Sequence, residues 1–373
     1  MEHDLKSVAR RFRLRGTPLD IAPITAGHIH DTYLLSAGSK GQVTKYVLQR
    51  INQTVFKDPV SVMANIRRVT EHIHTKTAKV DPQAAARQLV VIPTKEGEGF
   101  YWDAAGNFWR VYNFIENAVT YDTLQAAGPA REAARMFGWF QEMLLDVPGP
   151  PLHETIPGFH NTPRRFEVFQ QVLQADAANR AKDAKSEIDF VFEHSAICGV
   201  LADLVAQGEV PVRIAHNDAK INNVMLDART GKGVCVIDLD TVMPGLSVHD
   251  FGDLVRTAAC PAAEDERDLS KVVLDPALFD ALAQGFAAGT YRFLTPAERR
   301  HLVFGAKHIT FEQLIRFLTD YLAGDVYYKV HRAGHNLDRS RTQRKLVQSM
   351  IEQEETLDKL VAQAFRYTSG HTT

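Results

Sequence analysis

One β-rich island, residues 213–240, lies inside a long run of helical sequence and constrains the fold of this chain more than any other feature. Around it, residues 121–147, 163–180, 186–206, 275–292, 296–321 and 340–367 repeat their apolar positions at helical spacing. The segment Pro148-Gly149-Pro150-Pro151 breaks the first of these from the second. Within the island, the short runs 223–226 and 234–237 are expected to pair as strands across a turn over 227–233. That hairpin would bring Asn223 near Asp238 at one edge.

The sequence before the helical run has a different texture. Residues 21–24, 32–35 and 44–51 are short segments rich in β-branched or aromatic residues, separated by turns that contain glycine. Residues 89–94, 99–103 and 108–115 read the same way, and Ala104-Ala105-Gly106-Asn107 suits a hairpin between the last two. One helix interrupts them. Asp58 is a good cap with Pro59 at the first helical position, and Val62, Ile66, Val69 and Ile73 then form one apolar stripe. A small β-rich half followed by a large helical half is an α+β, two-lobed plan, with the division expected at residues 1–115 and 116–373.

Composition narrows the function. At 373 residues and 45% hydrophobic, the chain is long enough for a large core without disulfide or metal staples. A formal net charge of -2, with the basic residues scattered, argues against a nucleic-acid or anionic-membrane partner. The three cysteines, Cys198, Cys235 and Cys260, fit no zinc or redox spacing, and Cys235 lies in an apolar run that reads as core. The N-terminus is charged throughout, and no stretch approaches the apolar length that spans a bilayer. The expected setting is cytoplasmic and reducing.

The island's polar residues form an ordered set. His216-Asn217-Asp218 is followed by Asn223 five residues after the aspartate, by Asp238 20 residues after it, and then by Asp250. Phosphoryl transfer needs a carboxylate to orient the attacking hydroxyl and take its proton, and hard oxygen ligands for magnesium. An Asp–Asn spacing of five followed by a strand ending in Asp is the kinase arrangement. It makes Asp218 the base, with Asn223 and Asp238 as the Mg2+ ligands. Asp240 reads equally well as a second metal ligand, a brace or a solvated strand-end carboxylate. The bland alternative for the whole set is a turn, a hairpin loop and a strand-end cap.

This segment resembles the catalytic segment of the aminoglycoside phosphotransferase and choline kinase superfamily, and more closely its N-acetylhexosamine 1-kinase-like branch. The resembling blocks are Leu48-Gln49-Arg50-Ile51-Asn52 with Val55-Phe56, Phe159-His160-Asn161-Thr162-Pro163, and His216-Asn217-Asp218-Ala219-Lys220-Ile221-Asn222-Asn223. They continue with Ile237-Asp238-Leu239-Asp240-Thr241-Val242-Met243-Pro244-Gly245, then Arg316-Phe317-Leu318-Thr319-Asp320-Tyr321-Leu322 with Gly324-Asp325-Val326-Tyr327. The resemblance implies a bilobal protein-kinase-like fold, with ATP as co-substrate and a small-molecule acceptor. It implies that His216 and Asp250 support the catalytic loop, and that the backbone of Asn113, Phe114, Ile115 and Glu116 forms an adenine hinge. If the branch holds, the acceptor is the anomeric hydroxyl of an N-acetylhexosamine, met by Arg316 and Tyr327. Leu314, Phe317, Leu318 and Tyr321 fit a helix core. Aminoglycoside, choline or homoserine acceptors remain alternatives, as does a non-catalytic nucleotide-binding module.

The nucleotide site is harder to place. There is no P-loop string. The turn around Gly27 is the candidate phosphate cover. Where kinases carry a third-strand lysine, this sequence has Gln49, with Arg50 facing the opposite side. The missing cation is then Lys45, Arg50 through a bulge, or magnesium with backbone groups. The string Asp250-Phe251-Gly252 is not the kinase metal motif, because it follows the metal strand instead of ending it.

Overall fold

Alternating side chains in the first part of the chain close into a five-stranded antiparallel sheet. Its strands are β1 (Thr17–Ile24), β2 (Asp31–Ser39), β3 (Gln42–Arg50), β4 (Tyr101–Trp102) and β5 (Phe108–Asn113), in the order β1-β2-β3-β5-β4. The computed structural model describes residues 4–25 and 29–370, so the turn at Gly27 lies outside the described residues. One face of the sheet buries Leu35, Tyr46, Leu48 and Trp109 together with Phe12, just beyond the short helix α1 (Leu5–Ala9). The pairing of β2 with β3 runs without a shift from Asp31↔Arg50 to Ser39↔Gln42, so no bulge turns Arg50 toward the other face.

The helix expected after Asp58 is α2 (Pro59–Val80), and the Asp58 carboxylate accepts the Ser61 N–H at 3.2 Å. Its stripe of Val62, Ile66, Val69 and Ile73 is buried. A short helix, α3 (Pro82–Ala85), follows. The strand expected over 89–94 is reduced to two isolated bridges, Val91 to Tyr112 and Thr94 to Phe12. The Ile92 N–H still reaches the Val111 carbonyl at 2.8 Å, but Pro93 has no N–H and its own carbonyl turns to Arg13 at 2.9 Å.

The chain divides into two compact units. The smaller takes the chain through Ala118 and adds Asp146–Pro157 and Val234–Met243; the larger comprises Val119–Leu145, Gly158–Gly233 and the chain from Pro244 onward. The larger unit is mainly helical: α4 (Ala127–Met143), α5 (Thr162–Ala175), α6 (Lys185–Glu193), α7 (Ile197–Ala206), α8 (Ser247–Ala258), α9 (Pro276–Thr290), α10 (Pro296–Arg300), α11 (Leu302–Leu322), α12 (His335–Glu352) and α13 (Glu354–Gly370).

Three stretches that read as single helices are broken in two. Between α6 and α7 the His194 ring bonds the Phe190 carbonyl at 3.0 Å and Ser195 Oγ bonds that of Phe192 at 2.9 Å, satisfying carbonyls that the helix would otherwise leave open. His301 does the same between α10 and α11, reaching the Ala297 carbonyl at 2.8 Å. The third break falls at Gln353, between α12 and α13. Periodicity carries through interruptions of one to three residues, so the sequence pattern does not reveal them.

Buried α11 organises the larger unit, packing Phe311, Leu314, Ile315 and Leu318 against Phe169 of α5 and Val191 of α6. It also meets α8 backbone to backbone, because a Cβ on Gly252 would overlap the Gly305 carbonyl, and one on Gly305 would overlap that of Val248. Gly252 is therefore a helix-contact glycine, in keeping with the rejection of the Asp-Phe-Gly string as a metal motif. All three cysteines are buried free thiols, and burial pushes Cys235 up to about 12 and Cys198 up to about 11. Neither is a nucleophile near neutral pH.

Candidate active site

In the larger unit, the strand Arg213–Ala215 delivers a tight turn, His216-Asn217-Asp218. Asn217 has φ of 62°, a left-handed conformation that asparagine tolerates better than most residues. The buried Asp250 carboxylate, in the first turn of α8, holds this turn. It accepts the N–H of His216 at 2.9 Å, the N–H of Asn217 at 2.8 Å and Gln141 Nε2 at 2.6 Å. Burial pushes the Asp250 carboxyl up from its ordinary value, against the pull of His216 and these three donors. The His216 ring is buried between the edges of Phe137 and Phe140, at 5.4 and 5.9 Å.

Asp218 is the exposed end of this arrangement, its side chain 26% accessible. Burial would push its carboxyl up, but Lys220 at 3.0 Å, with His216 and Arg256, holds it below the usual carboxylate range. It is thus ionised at neutral pH and able to accept a hydrogen bond from an alcohol. Asn223 turns its amide nitrogen to the Asp218 carbonyl at 2.8 Å and to Asp218 Oδ2 at 3.3 Å, contacts that do not use its side-chain carbonyl oxygen. The structure therefore brings His216, Asp218, Asn223 and Asp250 together. Lys220 was missed, although it stood in plain view two residues after the aspartate.

Asp238 belongs to the smaller unit. It has φ of 62° and ψ of 57° and precedes the one-turn helix Leu239–Thr241. Its carboxylate lies with ligand atoms of Asp240 and His30, all within 4.8 Å of one another. Asp240 is committed as a brace. Arg110 Nη1 and Nη2 grip its two oxygens at 2.6 and 2.7 Å, and His30 Nε2 adds a third contact at 3.3 Å. Burial would push the Asp240 carboxyl up, but Arg110 holds it far below the usual range. His30 Nδ1 accepts the Asn52 N–H at 3.0 Å, so Nε2 carries the proton given to Asp240. Phe56 lies against the same ring, at 5.5 Å between centroids.

Arg110 also lies across from Gln49, the residue at the third-strand lysine position. In register, Thr32 faces Gln49 and Gln49 faces Arg110, a row of polar side chains across three strands. Gln49 Nε2 donates to Thr32 Oγ1 at 3.1 Å, and Arg110 Nε donates to Gln49 Oε1 at 2.9 Å. A buried cation thus stands one strand over from Gln49, on β5, and is paired with Asp240. The two cations named from the sequence are engaged elsewhere. Arg50 Nε pairs with Asp31 at 2.8 Å, and Lys45 lies 3.6 Å from Glu116. Sequence reasoning missed Arg110 because one charged residue in an apolar strand gives no hint of its partner.

The segment expected to form the hinge is anchored by side chain as well as backbone. Asn113 Oδ1 accepts the Val90 N–H at 2.7 Å, its Nδ2 donates to the Gln88 carbonyl at 2.9 Å, and Ile115 is buried. The Phe114 N–H reaches the Lys45 carbonyl at 3.4 Å, while the Glu116 carbonyl accepts from Arg87 at 3.3 Å.

In the larger unit Arg316 lies between the rings of Phe159 and Tyr328, 5.3 and 5.6 Å from their centroids, and donates to Gln313 Oε1 at 3.0 Å. Tyr327 is 60% exposed. Its loop hangs on Asp320, which accepts the N–H groups of Val326, Tyr327 and Tyr328 at 2.9, 2.7 and 2.9 Å. Leu314, Phe317, Leu318 and Tyr321 are buried as expected.

A β-rich unit, a mainly helical unit and an Asp–Asn turn braced by a buried carboxylate define a kinase-like phosphotransferase. The chain belongs to the phosphotransferase enzyme family, which it matches over residues 20–297, and is a small-molecule kinase of that family. In fold it is similar to an aminoglycoside phosphotransferase from Alicyclobacillus acidocaldarius, at 13% identity and a TM-score of 0.57, covering 99% of this chain and 98% of that one. A spectinomycin phosphotransferase solved with ADP and spectinomycin matches at 12% identity and a TM-score of 0.56, covering 94% and 98%. Ethanolamine kinase of Plasmodium vivax matches at 12% identity and a TM-score of 0.53, covering 86% and 80%. Among the described residues, no helix is long and apolar enough to cross a membrane.

Proposed function

We propose that this kinase transfers the γ-phosphoryl group of ATP to the anomeric hydroxyl of an N-acetylhexosamine or a related sugar. The observation that supports transfer is the Asp218 carboxylate, presented beside Lys220 and Asn223 on a turn held by Asp250. Asp218 accepts the hydrogen bond of the sugar hydroxyl, aims its oxygen at the γ-phosphorus and receives the proton as the new O–P bond forms. The bond from the γ-phosphorus to the bridging oxygen breaks, and ADP leaves with that electron pair. Lys220 holds Asp218 ionised before the transfer.

Asn223 and Asp238 are the proposed magnesium ligands. The donor chemistry fits: both offer hard oxygens, and neighbouring Asp240 is already neutralised by Arg110, which leaves Asp238 as the exposed carboxylate of its cluster. When bound, magnesium supplies charge neutralisation for the phosphates. The adenine edge is assigned to the backbone of Asn113, Phe114, Ile115 and Glu116, and the phosphate cover to the turn at Gly27. Gln49 sits where a lysine would, but acts through Arg110.

On the acceptor side, Arg316 stacked between two aromatic rings, with Tyr327 exposed nearby on a loop anchored by Asp320, suits a polyhydroxylated ring. The test is ATP-to-ADP turnover with magnesium across free sugars, aminoglycosides, choline and homoserine, comparing wild type with Asp238→Ala. Stimulation by one N-acetylhexosamine, abolished in the variant, is the expected result. Stimulation by an aminoglycoside, choline or homoserine instead would overturn the sugar assignment.

A further inference from the structure

His160 stands in the helical unit beside the catalytic turn and meets two acceptors at once. Its Nδ1 lies 2.9 Å from Glu312 Oε1, and its Nε2 lies 2.8 Å from the main-chain carbonyl oxygen of Asn217. Neither partner can donate, since one is a carboxylate and the other a carbonyl. Both ring nitrogens must therefore carry hydrogen, which makes the ring an imidazolium with Glu312 as its counter-ion. The other Glu312 oxygen accepts from Thr162 Oγ1 at 2.5 Å, so the carboxylate is itself fixed.

The carbonyl that His160 grips is that of the left-handed residue directly before Asp218. Asp250 holds the Asn217 N–H from one side, and His160 holds its C=O from the other. We propose that His160, resting on the Asp218 assignment above, is a positioning residue: as an imidazolium clamped between Glu312 and the Asn217 carbonyl, it locks the turn from which Asp218 projects.

The surroundings allow this charge state. From α11 the ring faces Glu312, Arg316 and the neutral His308; from α5, Arg165 and Thr162; from α8, His249; and from the turn, the Asn217 carbonyl. Arg165 and Arg316 oppose a further positive charge, and Glu312 favours it. Burial pulls the His160 ring down, but Glu312 outweighs burial and raises it above its ordinary value.

The test uses the full chain with labelled histidine nitrogen and aspartate carboxyl carbon. At pH 7.5 both ring nitrogens of His160 are expected to be protonated, and a neutral ring there overturns the proposal. His160→Gln keeps a donor and loses the charge; it should lower kcat about tenfold to a hundredfold with KM for ATP unchanged, as expected when a reacting group is slightly misplaced. It should also remove the alkaline limb of the kcat profile and move the carboxyl signal of Asp218. Glu312→Gln, which keeps the shape and removes the counter-ion, should do the same in a folded protein should His160→Gln fail to fold. A lowered melting temperature with kcat and the Asp218 signal unchanged means a purely structural role and overturns the proposal. If the wild type turns over no acceptor, the functional reading fails by itself. The clamp is then decided by the nitrogen protonation and the Asp218 signal alone.

Discussion

Arg110 and Asp240 stand 130 residues apart in sequence and meet as a buried two-pronged ion pair, with both guanidinium nitrogens on both carboxylate oxygens. The pair ties strand β5 to the turn that carries Asp238, and Gln49 and His30 complete its hydrogen bonding. Two desolvated charges gain from each other only when geometry and further partners are this complete.

Removing one partner should therefore be costly. Arg110→Met leaves Asp240 charged and buried, and should lower unfolding free energy by about 3–5 kcal/mol in urea titration. Adding Asp240→Leu should recover most of that loss. A double variant as unstable as the single one would show that packing, not the stranded charge, sets the cost.

Asp218→Ala should cut turnover about a hundredfold to ten-thousandfold, the usual range for a lost general base. Its side chain is a quarter exposed, so the urea midpoint should barely move. Steady-state kinetics with the best acceptor decides the matter, and unchanged kcat would remove Asp218 from the role of base.

Gly252→Ala tests the contact of α8 with α11. The added methyl would overlap the Gly305 carbonyl, a backbone atom that moves only with its helix. The expected loss is about 1–3 kcal/mol, and since α8 also carries Asp250, turnover should fall with it. An unfolding curve that matches wild type would mean the helices separate freely there.

Acid should destabilise this protein from near pH 6.5 downward. His249 is buried with neither ring nitrogen hydrogen-bonded among the described residues, and its ring stacks on His308 at 5.3 Å. Burial pushes both down, His308 from 6.5 to about 4. The unfolded chain therefore takes up these protons first. The stability they contribute is whole above pH 6.5 and is lost as pH falls toward 4, worth about 3 kcal/mol for His308. His160 has the opposite sign: raised in the fold, it contributes fully below pH 6.5 and loses its effect as pH rises through its folded value. Urea midpoints between pH 7.5 and 4.5 should fall in wild type and fall less in His308→Phe. Parallel curves would remove His308 as a cause.

The spacing of Asp218, Asn223, Asp238 and Asp250 and the Asp58-Pro59 helix start were legible because each depends on residue type and short sequence distance. The α+β division showed in the change of period from strand-like to helical. Boundaries were less legible: His194 and His301 end helices with their own side chains, and Pro93 removes one N–H from a strand that otherwise reads well.

The sequence by itself determined most of the strand-forming and helix-forming stretches and their order, because backbone preference acts locally. Only the tertiary structure decided that Arg110 is a buried cation paired with Asp240, that Gly252 is a contact point and that His160 meets Glu312. Each of these rests on a partner from a distant part of the chain. A buried charge or a close backbone approach is defined by what folding brings against it, and periodicity carries no record of that.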